Sequence, residues 1–352
     1  MKFEPDYRHF ADVMRNVKPA RLPIYEHILC AEVMEEVLGT KFVGLHNGDA
    51  GDINEFFKHH CNFFKKMTYD VVSYEFCLRE IFPNAGALEG GGAGPIQNRS
   101  DFDSYPWDEL PKMFWAQAGP RLDALAKNLP AGMKAVGGVG NGVFELVEDL
   151  VGLEYLPLMS VDDPELYSNV FRNVGDLMCT VWSELLKRYA DSFVVCRFGD
   201  DLGFKTSLLT DPPTIRQQIF PQYKRLIKIY HDAGLPFLYH SCGCIFEVMD
   251  EIIDLGIDAK HSNEDSIAPF DRWIDDYGDR IGLIGGIDMS FLCSADEQQV
   301  YDRVLEDGRR FREKAKGYAL GSGNSIPKYV PAANYLAMIR ASQEIRRLEE
   351  SQ

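Results

Sequence analysis

The run Pro236-Phe237-Leu238-Tyr239-His240-Ser241-Cys242-Gly243-Cys244 sets the pattern for the whole chain. It opens apolar and β-prone, stops abruptly at polar residues, and lies between helical patterns at 213–231 and 246–255. A short apolar run of this kind suits a strand buried on both faces of a parallel sheet. The same unit recurs along the chain, with candidate strands at 22–25, 71–75, 134–139, 193–198, 236–239, 259–260, 281–285 and 318–320. Further helical patterns cover 297–316 and 332–349, and apolar positions 53, 56, 57, 63, 64 and 67, with His60 among them, form a helical stripe. Eight strands alternating with helices predict an α/β fold, a (β/α)8 TIM barrel. It carries extra N-terminal helices and long insertions after the second and third strands, at 81–132 and 143–191; an open doubly wound sheet is the alternative. Long insertions at one barrel face often form lids or substrate walls.

The length of 352 residues suits one elaborated barrel, read as a single domain over 1–352 with its core at about 20–350. Hydrophobic residues make up 45%, enough for a large core. A formal net charge of −17 argues against nucleic acid or an anionic membrane as partner, because either needs a basic face. No apolar run approaches the ~20 residues of a membrane span, and the first residues are polar, so a cytoplasmic location is expected. The cysteines at 30, 61, 77, 179, 196 and 293 are scattered and read as reduced core residues. Cys242 and Cys244 are the exception. The glycosylation-type triplet Asn98-Arg99-Ser100 reads as chance.

In a barrel of this kind the catalytic groups sit where strands end. Those ends carry Glu26 and His27, Glu75, Asn141, Asp200 and Asp201, His240 and Cys242, His261 with Asn263 and Glu264, Asp288, and Ser322 with Asn324. His240 and Cys242 are the sharpest pair. Imidazole nitrogen and thiolate are borderline-soft ligands that suit Zn²⁺, and one intervening residue puts both on the same side of an extended segment. A buried histidine beside two inert thiols is the plainer reading of the same triplet. Asp200 and Asp201 are read as general base, polar substrate contact or metal ligand, against a helix cap plus a solvated charge. His261 is a hydrogen-bond donor or a ligand; Glu26 and Glu75 could simply pair with neighbouring bases. The glycine clusters 138–142 and 321–324 complete neither a dinucleotide nor a phosphate loop, and read as turns or as close approach to a large ligand.

Five segments together resemble the uroporphyrinogen decarboxylase superfamily, especially its corrinoid-dependent methyltransferase branch. They are Arg21-Leu22-Pro23-Ile24-Tyr25-Glu26, Gly199-Asp200-Asp201-Leu202-Gly203-Phe204-Lys205-Thr206-Ser207, Tyr239-His240-Ser241-Cys242-Gly243, Lys260-His261-Ser262-Asn263-Glu264-Asp265 and Gly321-Ser322-Gly323-Asn324-Ser325-Ile326-Pro327. The resemblance spans nearly the whole chain. It implies a zinc-dependent methyltransferase that works with a corrinoid carried on a partner protein. The methyl group would move from a small O- or N-methylated donor to that corrinoid protein, or from it to an acceptor. Zinc would be held by His240 and Cys242. Asp200, Asp201, Glu26 and His261 would be catalytic, and Glu75, Asn141, Glu264, Asp288 and Asn324 would touch substrate.

Two departures matter. The decarboxylases hold substrate carboxylates with an arginine-rich segment after the first strand, where this chain reads Glu26-His27-Ile28-Leu29-Cys30. The thiol-serving methyltransferases add a distant Cys to His-x-Cys, and here that position is Asn324. A third ligand is then expected from Cys244 or Glu264, with His261 and Asp200 as further options. The alternatives carried are a metal-free decarboxylase or lyase using Asp200 or Asp201, and a non-catalytic corrinoid- or tetrapyrrole-binding barrel. Homo-oligomerisation is left open.

Overall fold

The computed structural model describes residues 3–351, so Met1, Lys2 and Gln352 lie outside the described residues. Seven strands form one parallel sheet in sequential order. They are β1 (Val71–Cys77), β2 (Lys134–Gly140), β3 (Phe193–Gly199), β4 (Phe237–His240), β5 (Ala259–His261), β6 (Gly282–Ile287) and β7 (Tyr318–Ser322). The eighth expected strand, at 22–25, closes the ring as a single parallel bridge between Ile24 and Leu320. There the Tyr25 amide donates to the Leu320 carbonyl at 2.9 Å and the Leu320 amide to the Pro23 carbonyl at 3.0 Å. On the opposite side the Ser73 hydroxyl of β1 donates to the His27 carbonyl at 2.5 Å. The fold is the (β/α)8 barrel that the alternating pattern predicts.

Two apolar layers hold it. Inside the ring, Val71, Val136, Val195, Leu238, Ala259, Ile284 and Ala319 each come from a different strand and pack on Phe10, Val13 and Met14. Those last three belong to helix Arg8–Met14, which plugs the N-terminal end of the barrel. Small residues make room for the plug: a Cβ at Gly282 would meet the Val13 carbonyl oxygen at 2.3 Å. Outside the ring, helices Ala50–Lys66, Leu110–Asn128, Pro164–Tyr189, Phe220–Asp232, Glu297–Lys314 and Ala332–Glu350 bury their apolar stripes in one continuous cluster. The second insertion resolves into helices Val143–Val151, Leu156–Asp162 and Pro164–Tyr189, and only the first of these builds the site. The expected helix at 213–231 is not uniform, because a π-helical turn at Ile215–Ile219 precedes Phe220–Asp232. Pro221 lacks the N–H that would continue the ladder.

Register places the chemistry. Gly199 of β3 is the partner of His240 of β4, and His240 is the partner of His261 of β5. Partners in neighbouring strands point the same way, so the two imidazoles emerge side by side. The missing Cβ of Gly199 leaves them room: one built there would touch the His240 ring at 3.1 Å.

Candidate metal centre

The protonation of the histidine pair follows from one backbone carbonyl. His261 Nε2 lies 3.0 Å from the Ser322 carbonyl oxygen, which can only accept. His261 Nε2 therefore carries the hydrogen and Nδ1 carries a lone pair. His240 Nδ1 lies 2.7 Å from that lone pair, so it must be the donor. His240 Nε2 is left bare, facing Cys242 Sγ at 3.4 Å and Asp201 Oδ1 at 3.9 Å. Burial holds both rings neutral, with His261 pulled down to about 3 and His240 well below the ordinary histidine range. His27 stacks on His240, centroids 3.7 Å apart and planes at 12°, and fixes the ring from its other face.

Among the described residues, two sets of three side chains bring ligand atoms within 4.8 Å of one another: Asp201/His240/Cys242 and His27/His240/His261. A tetrahedral zinc with ordinary bond lengths holds N and S about 3.5 Å apart, and two N about 3.3 Å apart. The 3.4 Å between His240 Nε2 and Cys242 Sγ fits. The 2.7 Å between the two Nδ1 atoms is a hydrogen bond and too short for two ligands of one ion. The spacing that fits zinc is that of His240 and Cys242, with His261 orienting His240 from behind; Asp201 Oδ1, 3.9 Å from His240 Nε2, lies beyond the spacing of two tetrahedral ligands and would have to close in to join them. Burial pushes the Cys242 thiol well up when no cation is near. Its sulfur also receives the Asn324 side-chain amide at 3.2 Å and the Ser262 hydroxyl at 3.6 Å, donors that favour a thiolate once a cation arrives. Asp201 Oδ1 accepts from the Cys242 amide at 2.7 Å, which ties its carboxylate to the clamp.

Several of the expected residues have other contacts in the structure. Cys244 and Glu264, expected to supply the third ligand, do not join either set. Gly243 takes φ +81° and turns the chain, and the Cys244 amide is tied to the Phe204 carbonyl at 2.6 Å. Glu264 opens a turn in which its carbonyl accepts from the amides of Ile267 and Ala268. Asp288, expected at the substrate, caps helix Met289–Ser294 through Phe291 and binds the Asp265 amide, each at 2.9 Å. Asp200, expected to be catalytic, accepts from the amides of Phe144 and Glu145 at the start of helix Val143–Val151 and from Tyr223 Oη at 2.5 Å. Gly142 makes that approach feasible, since a Cβ there would overlap the Asp200 carboxylate. This is the helix-cap reading, made across two strands.

Glu26 is buried and holds a proton near neutrality; burial pushes it up to about 8 although the Ser322 hydroxyl and amide both donate to it. Glu75 is bound by Arg197 Nη2 at 2.5 Å. Arg197 also donates to Tyr25 Oη, the His27 carbonyl and Ser73 Oγ at 2.6–2.8 Å, so this fully buried arginine is a strut under the histidines. Asn141, at φ +67°, donates to Glu145 at 2.9 Å. Four residues that matter had been given no role: His27, Arg197, Glu145 and Glu148. Arg197 interrupts the apolar strand Phe193–Gly199, and Glu145 and Glu148, with Asp149, interrupt an otherwise apolar helix. A charge inside a buried element was the available signal.

The family model described as uroporphyrinogen decarboxylase (URO-D) matches residues 103–345. Among solved structures, a methyltransferase from Methanosarcina mazei superposes with a TM-score of 0.75 at 15% identity, over 97% of this chain and 99% of that one. Xylanase B from Clostridium stercorarium F9 gives a TM-score of 0.43 at 11% identity, over 96% and 99%. No curated protein matches the sequence. At 15% identity the likeness to the methyltransferase speaks for the fold alone.

Proposed function

Because the chain belongs to the uroporphyrinogen decarboxylase family, we propose that it is a zinc-dependent methyltransferase of that family. It moves a methyl group between a small O- or N-methylated molecule and a corrinoid carried by a partner protein, with transfer from the donor to the corrinoid favoured. The convergence of His240 Nε2 and Cys242 Sγ at zinc-compatible spacing, at the C-terminal rim of the barrel, carries this reading. The likeness to the Methanosarcina mazei methyltransferase supports it.

Zinc, when bound, supplies a Lewis acid for the heteroatom bearing the methyl group. The rest is done by the chain. His261 keeps the bare nitrogen of His240 aimed at the ion, while Asn324 and Ser262 stabilise the sulfur of Cys242 as a thiolate. Glu26, protonated and buried beside Ser322, adds no charge to the floor of the site. The metal-free decarboxylase reading needs a free cation for a substrate carboxylate. Arg197 is tied to Glu75, Tyr25, His27 and Ser73 and does not supply one.

The test is zinc content and methyl transfer to a reduced corrinoid protein for the wild type, His240→Ala and Cys242→Ala. About one zinc per chain, lost in both variants together with transfer, is the expected result. Retention of metal and transfer in both would sink the proposal.

A further inference from the structure

Of the three stacked imidazoles, His27 is the one whose polar atoms the protein leaves idle. It is only 5% exposed, and its place is fixed from the backbone. Its carbonyl accepts from Arg197 Nη1 at 2.7 Å and from Ser73 Oγ at 2.5 Å. Among the described residues neither ring nitrogen finds a hydrogen-bond partner, and Nδ1 is fully enclosed. Packing alone does not call for a histidine here. Phenylalanine would cover the His240 ring equally well and would bury no polar atom. Two unpaired nitrogens cost the fold stability, so their partner comes from outside the chain.

That partner is not the ion. His27, His240 and His261 bring ring nitrogens within 4.8 Å of one another, yet His27 lies parallel to His240, 3.7 Å away with planes at 12°. A nitrogen lone pair lies in the plane of its ring. An ion held by His240 therefore sits out of the plane of His27 and misses its lone pairs. Burial keeps the His27 ring neutral, so one nitrogen carries a hydrogen and the other a lone pair. On the enclosed Nδ1 that hydrogen would be an orphaned donor, which is the rarer fault in folded proteins. It belongs on Nε2. A Cβ built on Gly199 would stand 3.7 Å from that atom. Gly199 ends β3 and is the register partner of His240, so Nε2 lies in the top layer of the barrel, level with the clamp. No side chain from β3 covers it there.

We infer that His27 is a substrate-binding residue: its Nε2–H donates to a second polar atom of the methylated molecule, beside the atom that the metal takes. The inference rests on the proposed reading of His240 and Cys242 as a zinc clamp. It narrows the substrate to a molecule with a hydroxyl, carbonyl or carboxylate oxygen about two or three bonds from the methylated heteroatom. The reach follows from the 4.8 Å that bounds the ring nitrogens of His27 and His240. A simple methyl ether or methylamine with no second acceptor leaves the Nε2–H unpaired.

Two substitutions separate stacking from donation. His27→Phe keeps the ring on His240 and removes the donor, whereas His27→Gln brings an amide N–H close to Nε2 and removes the ring. Small thiols serve as probes, because zinc binds and ionises them whatever the natural substrate is. Mercaptoethanol and propanethiol are nearly equal in size and differ in the hydroxyl that accepts from Nε2. Calorimetric titration of the zinc-loaded full chain gives the ratio of their affinities. That ratio should shift against mercaptoethanol about 3–10-fold in His27→Phe, the loss of one hydrogen bond, with zinc affinity unchanged. In His27→Gln it should return to within about twofold of the wild type. A ratio unmoved by His27→Phe, or shifted as far in His27→Gln, overturns the inference. Long-range proton–nitrogen spectra of the metal-free wild type test it without either variant. They should place the His27 hydrogen on Nε2, and a hydrogen on Nδ1 also overturns it. If the wild type bound neither zinc nor thiol, the clamp reading would fail, while an Nε2–H ring would still stand as a free donor.

Discussion

Replacing His261 separates the two ways in which these histidines could hold zinc. In His261→Leu the His240 Nδ1–H loses its acceptor at 2.7 Å, and the Ser322 carbonyl loses its donor at 3.0 Å. Leaving a buried N–H unpaired costs about 1–3 kcal/mol, which corresponds to a factor of roughly 5–150 in an equilibrium constant. The ring relieves that cost by rotating, and rotation turns Nε2 away from Cys242 and Asp201. Loss of a partner one bond removed from a metal ligand typically lowers affinity by about 10–100-fold, in the same range. His261→Leu should therefore still bind one zinc, at an affinity lowered about 10–100-fold in competition with a chromogenic chelator near neutral pH. His261→Gln should recover part of the loss, since its carbonyl can accept from His240 while its amide donates to Ser322. If His261→Leu abolished zinc binding as completely as His240→Ala, His261 would be a direct ligand. The hydrogen-bond chain derived from the Ser322 carbonyl would then be wrong.

Three further outcomes follow from the same geometry. Asp201→Asn keeps an acceptor for the Cys242 amide but removes a carboxylate charge at the clamp, so it should lose more zinc affinity than His261→Leu while retaining its melting temperature without metal. Arg197→Leu leaves the buried Glu75 uncompensated and should cost about 3–5 kcal/mol in urea unfolding, part of it restored in the Arg197→Leu/Glu75→Leu double variant. The metal-free protein should lose stability on both sides of a mildly acidic optimum. His261 and His60, held to about 3 and about 4 against an ordinary 6.5, keep the fold from taking protons that the unfolded chain accepts, so stability falls as pH drops below 6.5. Glu26 and Glu148, raised to about 8 from 4.5, keep protons that the unfolded chain has released, so stability falls as pH rises through that window. Glu26→Gln should flatten the alkaline limb of a calorimetric melting profile, by at most about 1.4 kcal/mol per pH unit, and leave the acid limb unchanged.

The barrel was legible because its signal is local: each strand is an apolar run with its own stop, and seven of the eight reappear as ladder strands within a few residues of the expected bounds. The eighth, at 22–25, makes only one bridge, yet its apolar run was enough to place it. The His240–Cys242 clamp was legible for the same reason, since two residues apart on an extended segment is a statement about one chain segment. The third side chain of the cluster was less so, since Asp201 was read with Asp200 as general base, substrate contact or metal ligand. Spacing favoured Cys244, two residues further on, but the positive φ of Gly243 redirects the backbone. Asp201, whose carboxylate does converge on the clamp, comes from the end of the neighbouring strand, and the β3–β4 register brings it within reach.

Asn324 shows the same limit from the other side. By type it had to be a lost ligand, whereas in space it donates to the Cys242 sulfur and assists the ligand that remains. Asp200 and Asp201 make the sharpest case, because adjacent and chemically identical residues receive opposite duties. Alternation along the extended strand end turns the side chain of Asp200 to the helix amides and that of Asp201 to the clamp. The approach of Asp200 depends on Gly142, whose missing side chain leaves it room. A roster of strand-end residues therefore contains the right members of a barrel site, and their division of labour is set by the packing of the next strand and the next helix.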